Sequence, residues 1–174
     1  MSILDWLSGG GAAQTRDRNR SEVETVRKIA RELNELEAPR ARWIACFAYI
    51  LGRVAFADLD FSEEETATME SLVTDIAALP ESQAVLVVQM AKTHNQLFGG
   101  TENFLVTREF NELATAADKR ALLECLYGVS AADHSISLEE DSEIRKIASE
   151  LRLEHHDFIA ARTKYAEHLA VLKD

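Results

Sequence analysis

The sequence predicts an all-α domain of about eight helices in two pseudo-symmetric halves. Three observations lead to this fold class. The 174 residues include two prolines and seven glycines, and 47% of them are hydrophobic. Apolar residues recur at helical spacing, and one helix-loop-helix stretch occurs twice. A chain of this length buries a core without disulfides, so we expect one helical domain over residues 21–174 behind a flexible leader at residues 1–20.

Helix signals in the first half begin at Ser21, which forms a capping-box pattern with Glu24 and predicts a first helix at about 21–36. Pro39 suits the start of a second helix that runs to about residue 57. A third helix follows Ser62, and Pro80 ends it.

The segment from Val85 to Met90 is apolar enough to resemble a strand. It lies in a stretch of helical length bounded by Pro80 and by Gly99-Gly100, which favours a buried helix. Further helices are predicted at about 102–113, at about 117–132 with Thr115 or Asp118 near the start, after Ser137, and at about 154–171.

The charge pattern argues against nucleic acid as a partner. The chain has 19 Lys+Arg against 30 Asp+Glu, a formal charge of −11, and no basic residue stands between Arg53 and Lys92. Binding to phosphate backbones requires clustered cations. Arg16, Arg18 and Arg20 are the only candidates, and they are interpreted as part of a solvated linker.

The cysteines and the N-terminus indicate a cytoplasmic protein. Cys46 and Cys125 lie in apolar helical stretches without paired spacing, which is typical of reduced core thiols. Residues 1–7 lack the pattern of a signal peptide, and no segment approaches the roughly 20 apolar residues of a membrane span. Trp6 and its apolar neighbours could still dock on a protein partner or on a membrane surface.

A shift of 75 positions lays residues 51–72 onto residues 126–147 without a gap, and seven of the 22 positions are then identical. Chance predicts about one or two identities at ordinary residue frequencies. The pattern indicates an internal repeat and suggests an ancient duplication. The identical pairs are Leu51/Leu126, Val54/Val129, Ala57/Ala132, Asp58/Asp133, Ser62/Ser137, Glu64/Glu139 and Glu65/Glu140.

Each copy of the repeat contains an acidic loop followed by a helix start. Ser62 with Glu65, and Ser137 with Glu140, fit capping boxes whose carboxylates favour the positive end of the helix dipole. The aspartates fit this explanation less well, because an acidic residue at a helix C-terminus meets the unfavourable pole. An Asp there could cap loop amides as an Asx turn, or it could bind a cation.

If the two loops meet, Asp58, Glu65, Asp133 and Glu140 form a pocket of four carboxylates. Oxygen ligands favour Ca²⁺, Mg²⁺ or Mn²⁺, whereas zinc would need nitrogen from His134 as an extra ligand. Both interpretations stay open at this point: loops that only cap helices, and loops that bind a divalent cation.

The stretches 57–65, ADLDFSEEE, and 132–140, ADHSISLEE, resemble the A-D-G-x-[IV]-S-x-x-E signature of the TerB-like (tellurite resistance protein B) family. Leu59 and His134 stand where the signature has glycine. The similarity extends over about residues 40–170. It implies a compact all-α fold of two helical halves, a place in bacterial stress-response systems named for tellurite resistance, cation binding at the motif acids, and no catalytic residue set.

An enzyme is the minority interpretation. His156-Asp157 is similar to the His-Asp pair of helical metal-dependent phosphohydrolases, with His94 and His134 as further ligand candidates. A single such pair arises often by chance, and His155 and His156 also fit exposed positions in the first turn of the last helix. Nucleophile and phosphate-loop motifs are absent from the sequence. The function hypotheses are a non-enzymatic interaction module that binds a cation, a metal-independent interaction domain, and a phosphohydrolase.

Overall fold

The computed structural model describes residues 16–55, 62–93 and 103–172 and confirms the all-α fold class. Within these ranges there are eight α-helices and three short 3-10 turns, and the only β-type pairing is an isolated bridge. None of the described helices is long and apolar enough to span a bilayer. The helices are α1 (Arg16–Asn34), α2 (Ala38–Ala55), α3 (Glu63–Ala77), α4 (Glu81–Lys92), α5 (Asn103–Leu113), α6 (Ala116–Ser130), α7 (Leu138–Glu150) and α8 (His155–Lys164).

Helix α1 begins at Arg16, before its predicted start. Ser21 therefore lies inside the helix, and its predicted capping role is wrong. The residues from Arg16 to Arg20 contain no glycine or proline, so nothing in their backbone chemistry stops the helix from extending toward the N-terminus. Residues 1–15 lie outside the described part of the chain, and the division into leader and domain stays a prediction.

The segment that could have been mistaken for a strand is helical, as predicted. It forms the centre of α4, where Leu86, Val87 and Val88 are buried. Pro80 precedes the first residue of α4 and accepts hydrogen bonds there from the amides of Gln83 and Ala84. Proline fits this position because a helix start needs no amide donor from it.

The prediction of one final helix over about 154–171 is wrong beyond Lys164. The chain instead makes two short 3-10 turns, Ala166–His168 and Ala170–Leu172, with the extended residue Leu169 between them. Leu169 pairs with Ile136 in a parallel bridge. Both side chains are 1% exposed, so leaving the helix buries a leucine, and its neighbours His168 and Ala170 form backbone hydrogen bonds with Ile136.

Helix α2 forms the centre of the core. Every residue from Trp43 to Leu51 is buried, and the helix packs on α1, α4, α5, α6 and α7. Trp43, Phe47 and Phe110 form an aromatic cluster with ring centroids 5.0 to 6.2 Å apart. Helices α3 and α6 also pack together. The helices that flank the two motif loops thus contact each other across the fold, while the duplication itself remains a hypothesis.

A buried ion cluster joins α2 to α5 and α7. The side chain of Arg53 is 3% exposed and pairs with both Glu143 and Glu150. Its Nε donates to Glu143 Oε1 at 3.0 Å and its Nη1 donates to Glu150 Oε2 at 2.7 Å. Thr107 Oγ1 donates to the same Glu150 oxygen at 2.9 Å. Burial would raise the pKa of Glu150, but the hydrogen bonds from Arg53 and Thr107 outweigh it and lower that pKa.

Substitution of Glu150→Gln tests this cluster. We expect the free energy of unfolding at pH 7 to fall by about 1.5–3 kcal/mol, the range for hydrogen bonds to charged groups. A carboxylate with a lowered folded-state pKa stabilises fully above its unfolded value of 4.5, and the contribution is lost as pH falls through the folded-state pKa. The difference between wild type and variant should therefore shrink between about pH 5 and pH 3 in urea titrations.

Glu112→Gln is the matched control, since the Arg108–Glu112 pair is 65% exposed on both sides and exposed pairs contribute little. A Glu150→Gln loss that stays constant across this pH range would contradict the assigned role of the carboxylate.

Ala78 directly follows the last residue of α3 and has a left-handed backbone conformation, with φ 51° and ψ 38°. Glycine adopts this conformation without the steric cost of a Cβ. We expect Ala78→Gly to raise the free energy of unfolding by about 0.5–1 kcal/mol. Ala67→Gly, on the exposed side of the same helix, should lower it by about 1 kcal/mol. Thermal unfolding compares the two variants, and destabilisation by both would refute the assignment at Ala78.

Candidate functional site

The second motif loop begins where α6 passes into the 3-10 turn Ala131–Asp133. Asp133 is exposed, and its Oδ1 accepts a hydrogen bond from the Ser135 amide at 3.0 Å. This geometry is the Asx turn considered from the sequence. It uses one carboxylate oxygen, and the other has no hydrogen-bond partner among the described residues.

His134 occupies the position at which the family signature has glycine. Its backbone is left-handed, with φ 68° and ψ 13°. Glycine would adopt this conformation at no steric cost, whereas histidine is among the residues that tolerate it. The loop therefore has the turn that a glycine would favour, and the exposed His134 ring lies 6.2 Å from the His168 ring.

The capping boxes predicted in the two motifs are both formed. Glu140 Oε2 accepts from the Ser137 amide at 2.8 Å, and Ser137 Oγ accepts from the Glu140 amide at 3.1 Å. Ser62 and Glu65 make the same pair of bonds at 2.8 and 3.1 Å. The backbone hydrogen bond from Ser62 lowers the pKa of the exposed Glu65. Each glutamate thus commits one carboxylate oxygen to its helix start.

The second loop is also held from outside by the C-terminal segment. The amide of Ile136 donates to His168 O at 2.7 Å, and the amide of Ala170 donates to Ile136 O at 3.0 Å. Ile136 is the apolar residue that precedes the Ser137 cap of α7. Its side chain is buried, and its backbone is paired with the segment around Leu169. Sequence spacing gave no signal for this pairing.

The predicted four-carboxylate pocket stays a prediction, and three of its four acids belong to the described part of the chain. Asp58 lies outside the described residues. In the described ranges, no group of three or more His, Cys, Asp and Glu side chains is placed to hold an ion. The described members, Glu65, Asp133 and Glu140, each have one oxygen bound to a backbone amide.

The His-Asp pair of the hydrolase hypothesis lies at the start of α8. His155 and His156 are exposed in the first turn, as predicted. The side chain of His156 is 81% exposed and its Nε2 lies 3.5 Å from Asp157 Oδ1. The same Asp157 oxygen lies 3.9 Å from Arg120 Nη1. Asp157 therefore takes part in a charge cluster at the α6–α8 contact. His94 lies outside the described residues.

A buried charge next to the second motif was not predicted. Asp141 is 8% exposed; it accepts a hydrogen bond from Tyr127 Oη at 2.9 Å and pairs with Arg162 Nε at 3.0 Å. Burial opposes ionisation, but the bonds from Arg162 and Tyr127 lower the pKa of Asp141. The sequence indicated this burial, because Asp141 lies three residues before Ile144 and therefore on the apolar face of the predicted helix.

Comparison with known families agrees with this architecture. A family model described as Tellurite resistance protein TerB matches residues 43–163. No curated protein and no solved structure matches the chain. The matched region covers more than half of the chain, runs from α2 into α8 and includes both motif loops. The family predicted from the two acidic motifs is thereby confirmed, and the chain belongs to the TerB family.

Proposed function

We propose that this chain is a non-catalytic TerB-like module of a stress-response system, and that it binds a divalent cation at its acidic loops. The hydrogen bonds of the second motif loop are the observation that best supports cation binding. Asp133 and Glu140 each have one carboxylate oxygen bound to a backbone amide, which restrains the side chain. The other oxygen of each has no hydrogen-bond partner in the described part of the chain. Restrained carboxylates lose less conformational entropy when they bind an ion.

The chemistry of the loop favours a small hard cation. Ca²⁺ takes six to eight oxygen ligands, whereas Mg²⁺ keeps several waters and needs only one or two carboxylates. Asp133 and Glu140 would supply two carboxylate ligands. Mg²⁺ or Mn²⁺ is therefore the preferred ion, with Asp58 and Glu65 as the ligands of the first motif. His134 would be the extra ligand if zinc bound instead.

A metal-independent interaction domain is the second candidate, and a specific observation favours it. Both motif capping boxes are complete, so the Ser and Glu that recur in the two motifs have a structural explanation without any ion. In this case the motifs shape the loops, and the module works only through contacts with protein partners.

The phosphohydrolase hypothesis has the least support. Asp157 already contacts Arg120, and His156 is exposed at the surface.

A cytoplasmic location is supported by Cys46 and Cys125, which are buried and free. Burial raises the pKa of both thiols to about 12. Peripheral membrane association through the leader at residues 1–20 stays a prediction, as does the binding of a protein partner.

Thermal unfolding of the chelator-treated protein tests cation binding. An ion that binds only the folded state at 100 times its Kd stabilises by about 2.7 kcal/mol, which corresponds to a Tm increase of several degrees. We expect this shift with Mg²⁺ or Mn²⁺. The double variant Asp58→Asn/Asp133→Asn should remove it. If Mg²⁺, Mn²⁺, Ca²⁺ and Zn²⁺ all leave the Tm unchanged, the loops are helix caps and the second candidate stands.

Glu140→Gln separates the capping role from the ligand role. Glutamine still accepts the Ser137 amide but carries no charge, so we expect a small loss of stability and a large loss of the cation-induced Tm shift. Ser137→Ala is the matched control. It should cost about 1 kcal/mol through loss of the cap and leave the cation response intact. The ligand role is refuted if Glu140→Gln keeps a full response.

A further inference from the structure

We propose that residues Ala166–Leu172 form a releasable strap, the C-terminal strap, that controls the conformation of the second motif loop, residues 133–137. The inference goes beyond the proposed function and does not require a bound cation. It rests on the backbone pairing of one loop residue. The Ile136 amide donates to His168 O at 2.7 Å, and Ile136 O accepts from the Ala170 amide at 3.0 Å.

The attachment of the strap is small. Leu169 is its one buried residue, while Glu167, Val171 and Leu172 are exposed and the others are half-buried. The strap consists of two 3-10 turns of three residues each. Such short turns have poor hydrogen-bond geometry and little stability of their own. One buried leucine and two backbone hydrogen bonds therefore carry most of the attachment.

The loop depends on this attachment at its centre. On one side of Ile136, the His134 amide bonds to Ala131 O and the Ser135 amide bonds to Asp133 Oδ1. On the other side, the capping box holds Ser137 and Glu140. These hydrogen bonds lie within the loop and the start of α7, whereas among the described residues the amide and carbonyl of Ile136 bond only to the strap. Release of the strap exposes these groups and the Ile136 side chain to water.

The helices around the loop have separate support. Tyr127 on α6 and Arg162 on α8 both bind Asp141 on α7, and all three groups lie before the strap in the chain. Segments with few buried apolar contacts open at lower free energy than the whole domain. The strap and the loop therefore open together as one unit while α6, α7 and α8 stay packed. A ligand that prefers the closed loop will hold the strap in place, and by reciprocity the strap will favour that ligand.

Native-state hydrogen exchange on the full chain with Ala170→Pro tests the strap. Proline removes the donor to Ile136 O. It fits the backbone, because Leu169 is extended with φ −70° and ψ 119° and Ala170 begins a 3-10 turn. We expect exchange of the Ile136 amide to accelerate by at least about tenfold. In the wild type, the amide of Leu126, inside α6, should exchange more slowly than that of Ile136 and with a steeper urea dependence, because its exchange requires unfolding of the whole domain.

Ala170→Gly is the matched control. It retains the amide donor, so Ile136 exchange should rise by less than about threefold. Leu169→Ala is a second variant that keeps both backbone bonds possible and removes the buried side chain; it should accelerate the same Ile136 amide.

The strap is refuted if Ile136 exchange is unchanged in both Ala170→Pro and Leu169→Ala. It is also refuted if Ile136 and Leu126 exchange with the same opening free energy and the same urea dependence in the wild type, because the segment would then unfold only with the whole domain. An unchanged helical circular dichroism spectrum confirms that each variant is folded.

Discussion

The buried guanidinium of Arg53 is the constraint on which the packing of the helices depends. A charge that is 3% exposed is costly unless it is paired and hydrogen-bonded. Glu143 and Glu150 provide the pairs from α7, and Thr107 on α5 binds the same Glu150 carboxylate. These partners fix the rotation of α7, since both glutamates must face α2. The ion cluster therefore constrains the register of these helices, because both carboxylates must reach the same guanidinium.

The second half of the fold also contains a buried, hydrogen-bonded charge, which is formed by different residues. Asp141, on the buried face of α7, is held by Tyr127 from α6 and Arg162 from α8. Gly128 leaves room nearby: a Cβ there would lie 3.0 Å from Tyr165 Oη, and the Tyr165 ring stacks on Tyr127 with centroids 6.2 Å apart. When residues 51–72 are aligned with residues 126–147, Gly128 stands opposite Arg53. The two halves thus share a motif and differ in the polar cluster that supports it.

The side chains of the motif loops form hydrogen bonds that stabilise the loops and the starts of helices α3 and α7. Ser62 with Glu65, and Ser137 with Glu140, satisfy the first amides of α3 and α7. Asp133 closes its own turn, and the left-handed His134 redirects the chain toward Ile136. The acids are restrained by these bonds, and each still has one oxygen without a hydrogen-bond partner among the described residues. Capping and cation binding are therefore compatible roles for the same carboxylates.

The sequence by itself determined the helical class, the family, both capping boxes and the helical state of the Val85–Met90 segment. These features follow from local periodicity and from short-range hydrogen bonds, which residues a few positions apart decide. Only the tertiary structure decided that Arg53 pairs with α7, that Asp141 is buried with Tyr127 and Arg162, and that the chain leaves its last helix after Lys164 so that Leu169 meets Ile136. Each of these depends on groups far apart in sequence, whose contact gains energy only once the helices are packed.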